Sequence, residues 1–163
     1  MRPINVIRWI SGAVAAGLFA VMAVVFLTLF DQSLLLPQKS LAPYSEQDLL
    51  LFAQALGPDL GFYRAIVLYV DSSFILAFVV WVFASHAGRG PLVWGAVFAM
   101  LPAVADFTEN FMILARMGIS PLFNVAPDML LASPSPTYYV TLVKFALFLV
   151  SIVAVLRLAR RAS

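Results

Sequence analysis

Asp106, Glu109 and Asn110 stand at i, i+3 and i+4 in the run Leu101-Pro-Ala-Val-Ala-Asp106-Phe-Thr-Glu109-Asn110-Phe-Met-Ile-Leu114. On a helix they share one face. The run around them is apolar enough to cross a membrane, where a charged side chain costs at least ~2.5–3.5 kcal/mol. Two other apolar runs each carry one ionisable residue well inside: Asp71, flanked by Tyr69, Ser72 and Ser73, and Lys144. Two chemistries suit this set. Carboxylates beside a lysine can do general acid–base work, with Asp106 or Glu109 as base and Lys144 holding a developing anion. Hard oxygen ligands from Asp71, Glu109 and Asn110 could instead take Mg²⁺. The sequence has no HExxH or GxSxG signature, so no specific reaction and no cofactor is assigned.

The elements that must position these groups follow from composition. Of 163 residues, 63% are hydrophobic and only 11% charged. A soluble domain carries roughly 45–50% apolar and about 25% charged residues. The expected fold is therefore an all-α polytopic membrane protein, a single four-helix bundle over residues 1–163. The formal charge of +2 gathers at the ends of apolar runs, which speaks for orientation in a bilayer and not for nucleic acid. The absence of cysteine removes disulfide exchange, thiolate nucleophiles and thiolate metal sites.

Four spans are expected, at about 9–30, 62–84, 92–117 and 138–158. The first is too long for a signal-peptide core, and Asp31-Gln-Ser-Leu-Leu-Leu-Pro37 shows no cleavage site, so it reads as a retained span. Its Gly12, Ala13, Ala16, Gly17 and Ala20 form small-xxx-small pairs that allow close helix approach. That face would serve internal packing, a homo-oligomer or a larger membrane complex. Between spans one and two, Ser45-Glu46-Gln47-Asp48 is a loose capping box ahead of Leu49–Leu56, closed by Gly57-Pro58. Too short to span, this segment reads as an interfacial helix, either a surface anchor or a lid over a pocket. His86, in Ser85-His86-Ala-Gly-Arg89-Gly-Pro91, reads as a solvated turn residue. Pro102 cannot bond the Phe98 carbonyl, so a kink is expected there. In the second long loop, Leu122, Phe123, Met129, Leu130 and Leu131 suggest a segment that hugs the bundle or membrane.

Arg2, Arg8, Arg89, Arg157, Arg160 and Arg161 fall on the side of the termini, against Lys39, Arg64 and Arg116 on the other. By the positive-inside rule both termini are cytoplasmic, in a plasma membrane or a bacterial inner membrane. Asp71, Glu109 and Lys144 then lie at matching depth, about 10–14 Å below the outer surface at ~1.5 Å per residue, with Asp106 deeper. Three potential negative charges face one positive, so protonation, a bound cation, Arg64 or Arg116 must supply the balance.

The sequence therefore predicts a charge-paired polar site of Asp71, Asp106, Glu109, Asn110 and Lys144, with Tyr69 beside it. Phe74, Phe78 and Phe148 stand one or two turns below. Binding of a lipidic or amphipathic molecule, or of a membrane partner, is the leading expectation. A membrane-embedded enzyme acting on a lipid-like substrate is the alternative, ahead of proton or ion movement. A purely structural network, Asp71–Lys144–Glu109 with Asn110, predicts a packed interior with Lys144 bonded to Asp71 or Glu109 and no cavity. Ligand binding predicts that the Ser45–Leu56 segment closes over the charged layer, and assembly predicts that the Gly12–Ala20 face meets another chain.

Overall fold

The computed structural model describes residues 3–28, 41–87, 89–122 and 134–160. Expectations that concern Arg2, Phe30, Lys39, Phe123, Met129, Leu130, Leu131 and Arg161 lie outside these residues. The described residues are helical with no strand. Four helical stretches are long and apolar enough to cross a membrane: Pro3–Thr28, Glu46–His86, Leu92–Arg116 and Pro136–Arg160.

Helix α1 spans Pro3–Thr28 and starts several residues before the expected span. Proline suits the first helical turn, where an N–H would be unsatisfied anyway. Helix α2 spans Glu46–Leu56 and carries the capping box read from the sequence. The Ser45 backbone N–H donates to Asp48 Oδ2 at 2.7 Å, and the Asp48 N–H donates back to Ser45 Oγ at 3.2 Å. Gly57, at φ +49°, ends α2. That left-handed value is one glycine adopts without a Cβ penalty. The chain then continues through a 3₁₀ turn, Gly57–Asp59, into α3, Leu60–Ala65. A π-helical segment, Ile66–Asp71, leads into α4, Ser72–His86. The expected short helix and second span are thus parts of one composite helical run. Helix α5 is Leu92–Arg116 and α6 is Pro136–Arg160.

Packing is sequential. Helix α1 lies along α4, α4 on α5, and α5 on α6, with a smaller α4–α6 contact. At the first crossing, a Cβ on Gly12 would stand 2.8 Å from Trp81 Cδ1. Only glycine lets α1 seat against that indole. At the next, a Cβ on Gly95 would stand 2.7 Å from His86 Cβ. His86 is consequently buried, 3% exposed, with Nδ1 2.9 Å from the Val82 carbonyl oxygen and its ring against Phe98. This corrects the expectation of a solvated turn: α4 runs one residue past Ser85, and the gap left by Gly95 receives the imidazole.

Helix α5 passes through Pro102 unbroken. The acceptor that proline strands is Phe98 O, and the Ser151 hydroxyl of α6 donates to it at 2.7 Å. Helix α5 is also the most enclosed of the four, with 50% of its apolar window buried against 22% for α1 and for α6. It is the helix that can carry polar side chains away from its surroundings. The apolar core between α1, α2, α3 and α5 gathers Phe26, Phe52, Tyr63, Ile113 and Leu114.

Candidate functional site

Asp106, Glu109 and Asn110 of α5 all point inward, at 2%, 0% and 3% exposed. Helix α6 presents Lys144 to them. Its Nζ bonds Glu109 Oε2 and pairs with Asp106 Oδ1 at 3.3 Å. Asn110 uses its two amide protons to bridge carboxylates, reaching Asp71 Oδ2 at 2.7 Å and Asp106 Oδ2 at 3.0 Å. Asp71 comes from the last residue of the π segment. Five residues of the expected site are therefore brought together, with one change of pairing. Equal depth suggested Asp71 as a partner of Lys144. The lysine instead takes the deeper Asp106, and Asp71 is held by a neutral amide.

Tyr69 does not join them and is 71% exposed. It stands two residues before Asp71, which on a helix places it on the opposite side. Neither Arg64 nor Arg116 balances the layer by an ion pair among the described residues. Arg116 Nε pairs with Glu46 Oε2 at 2.5 Å instead. Among the described residues no three histidine, aspartate or glutamate side chains converge as metal ligands would.

Thr141 was not foreseen, although it lies three residues before Lys144 on the same face of α6. Its hydroxyl donates to Glu109 Oε1 and lies 3.0 Å from the Tyr44 phenol. With Thr141 giving its proton to the carboxylate, Tyr44 donates to Thr141. An unbroken line of hydrogen bonds and one ion pair thus runs from Tyr44 through Thr141, Glu109, Lys144, Asp106 and Asn110 to Asp71. Burial pushes the Tyr44 hydroxyl up to about 12, outweighing the opposing bond to Thr141, so the phenol stays a neutral donor.

The segment that holds Tyr44 is stitched over this end of the bundle. Ser135 N–H donates to Tyr44 O at 2.7 Å, and Ser135 Oγ donates to Glu46 Oε1 at 2.5 Å. Tyr138 donates to Leu41 O at 3.2 Å, and its ring meets Tyr44 edge-on at 5.6 Å. None of these loop contacts has a periodic signature, and only the Ser45–Asp48 cap marked the region in the sequence.

Beside the cluster lies a cavity of about 890 Å³, with Leu41 at its edge. It runs between α1 and α6, over α4, and is open along one side. Asp71, Asp106 and Lys144 reach it. Ala15 and Ala16 of α1 form one wall, and Phe74, Phe78, Trp81 and Phe148 line much of the rest. Phe148 stacks on Phe74 with centroids 5.8 Å apart and meets Phe78 at 4.7 Å. From Asp71 to Trp81 the helix rises roughly 15 Å, so the space has a charged part and a long apolar part. Its volume falls within the ~300–1,000 Å³ typical of ligand pockets.

The small-residue face of α1 is divided. Gly12 packs on Trp81, Ala16 borders the cavity, and Ala13, Gly17 and Ala20 are exposed. Comparison with protein-family models, curated proteins and solved structures found no match for the chain.

Proposed function

We propose that this is an integral membrane protein that binds an amphipathic, lipid-like molecule in the cavity between α1 and α6. The polar end of the ligand meets the Asp71–Asp106–Lys144 group, and its apolar body lies along Phe74, Phe78 and Phe148. The observation that carries this reading is a large, mostly apolar cavity that reaches the charged cluster. A network serving only to fix helix register is best packed solid, because a void forfeits dispersion contacts. The bond from Tyr44 to Thr141 of the same network, and Leu41 at the cavity's edge, support the same reading.

The membrane part of the proposal rests on the four apolar helices and on their outer faces. Val21 and Val24 of α1 and Leu149 and Leu156 of α6 are each more than half exposed. Such faces suit hydrocarbon and not water. A ligand dissolved in the bilayer would enter through the open side between α1 and α6 without crossing water.

Two α1 variants test the proposal. Ala16 borders the cavity and Ala13 does not. Ala16→Phe fills the space and is expected to lose lipidic molecules that the unmodified protein retains through purification, read by mass spectrometry. Ala13→Phe is expected to keep them. Equal retention by both variants, or no specific lipid in the unmodified protein, would count against a binding cavity.

A further inference from the structure

The charges around the cavity do not balance: Glu109 and Asp106 share the single Lys144, and Asp71 has no ion-pair partner at all among the described residues. Both oxygens of Glu109 are engaged, one by Lys144 and one by Thr141. Asp106 takes Lys144 on one oxygen and Asn110 on the other. Asp71 is different. Among the described residues its carboxylate receives one hydrogen bond, from the neutral Asn110 amide to Oδ2, and no lysine, arginine or histidine lies within ion-pair distance. It is 9% exposed and borders the cavity. A buried carboxylate with no ion-pair partner either takes up a proton or is matched by a cation from outside the chain, and the cavity beside Asp71 gives the second route room.

Lys144 is the one ammonium that borders the cavity among the described residues, and it is already shared between Glu109 and Asp106, with the Phe145 ring 5.2 Å from Nζ. It has little left to offer an anionic head group. The nearby walls are aromatic: Phe74 and Phe78 follow Asp71 by one and two helical turns, and Phe148 stacks against them. Aromatic faces attract cations, most strongly where water is excluded. The cavity thus combines an uncompensated carboxylate, an occupied lysine and a sleeve of aromatic rings.

From this we infer that the ligand is a hydrophobic cation, an amine or quaternary ammonium on an apolar chain or ring system, and that Asp71 is its counter-ion. The inference rests on the binding function proposed above and narrows it to one chemical class. Carboxylate, phosphate and sulfate amphiphiles are disfavoured: their head groups would meet Asp71 and Asp106 before any free positive charge. The head group is seated between Asp71 and the Phe74 ring, and its apolar part extends toward Trp81.

The test uses three probes of one chain length: dodecyltrimethylammonium, dodecanol and dodecanoate. Each is titrated below its micelle concentration into the full chain in phosphatidylcholine nanodiscs, with empty discs subtracted, at neutral pH. The quaternary cation keeps its charge at any pH, so its own titration plays no part. It is expected to bind about tenfold or more tighter than dodecanol, the ratio for about 1.4 kcal/mol, and tighter still than dodecanoate. Asp71→Asn, which preserves shape, is expected to abolish that preference and leave dodecanol binding unchanged. Dodecanol binding thus reports that the variant is folded. Asp59→Asn, at an exposed carboxylate that does not line the cavity, is expected to leave the preference for the cation unchanged. If all three probes saturate with equal affinity, or if Asp71→Asn retains the preference, the counter-ion inference is wrong and the cavity stands. If none saturates above empty discs, the binding function itself is wrong, and the inference falls with it.

Discussion

Replacing Lys144 with methionine tests the core of the site most directly. The side chain is 6% exposed, and its two partners, Glu109 and Asp106, are 0% and 2% exposed. Methionine fills a similar volume, so the change removes charge and leaves packing largely intact. Two buried carboxylates then face each other with no cation between them. Breaking one partner of a buried ion pair typically costs ~3–5 kcal/mol. Solvent screening offers no relief at this burial. At roughly 2–4 °C per kcal/mol for a chain of this size, the thermal midpoint is expected to drop on the order of 10 °C. The assay is thermal unfolding in one detergent, followed by tryptophan fluorescence. The double variant Lys144→Met with Glu109→Gln is decisive. It removes one of the two stranded charges while keeping an acceptor for Thr141, and it is expected to recover about half of the loss. A single variant within about 1 kcal/mol of the parent would refute the claim that Lys144 holds the layer together. So would a double variant no more stable than the single.

Three further outcomes follow from the geometry. Ser151→Ala leaves the Phe98 carbonyl unsatisfied and is expected to cost ~1–3 kcal/mol. In a Pro102→Ala background, where the helix can bond that carbonyl itself, thermal melts should show most of this cost gone. Gly12→Val forces a side chain into Trp81 and is expected to destabilise by ~1–3 kcal/mol. Gly17→Ala, with open space around it, should instead be neutral or stabilising by ~0.5–1 kcal/mol. Ser45→Ala removes the α2 cap and should cost ~0.5–2 kcal/mol. Hydrogen exchange should rise first at the start of α2.

The parts of the site that the sequence revealed are those governed by helical period and depth. The spacing of Asp106, Glu109 and Asn110 placed all three on one face, and that face is buried. Counting residues in from the span ends brought Asp71 and Lys144 to the same level. Depth carries no information about rotation around the bundle, however, and so the pairing of Lys144 with Asp106 was not legible. Tyr69 could have been set aside by period alone, since a residue two positions from Asp71 cannot share its face. His86 was misread because a Gly-rich turn masks the last turn of α4, and its burial depends on Gly95, nine residues on and in another helix. Stranding of the Phe98 carbonyl was legible from Pro102, but its rescue by Ser151 was not, because that contact joins residues far apart in the chain. The links from Tyr44, Glu46, Ser135 and Arg116 belong to the same category.

The polar line from Tyr44 to Asp71 gives the site a property that no single residue has. Its outer end is tied to the Tyr44–Leu56 segment, and its inner end borders the cavity. Each interior member has its partners on both sides, so a shift at one end leaves a donor or acceptor without a partner at the next. Buried polar groups without partners are costly, and a network of this kind favours a small number of discrete arrangements over gradual distortion. A cation arriving at Asp71 weakens the demand on Asn110, which alters its bond to Asp106 and the share of Lys144 left for Glu109. The far consequence is felt by Thr141 and Tyr44. Tyr44→Phe cuts the line at its outer end without touching the cavity. If occupancy is coupled to the covering segment, this variant should reduce the difference in hydrogen exchange over residues 44–56 between protein with and without dodecyltrimethylammonium, while leaving cation affinity within about threefold of the parent, a change of roughly 0.7 kcal/mol. An undiminished exchange difference in Tyr44→Phe would show that the line binds its members together but transmits nothing.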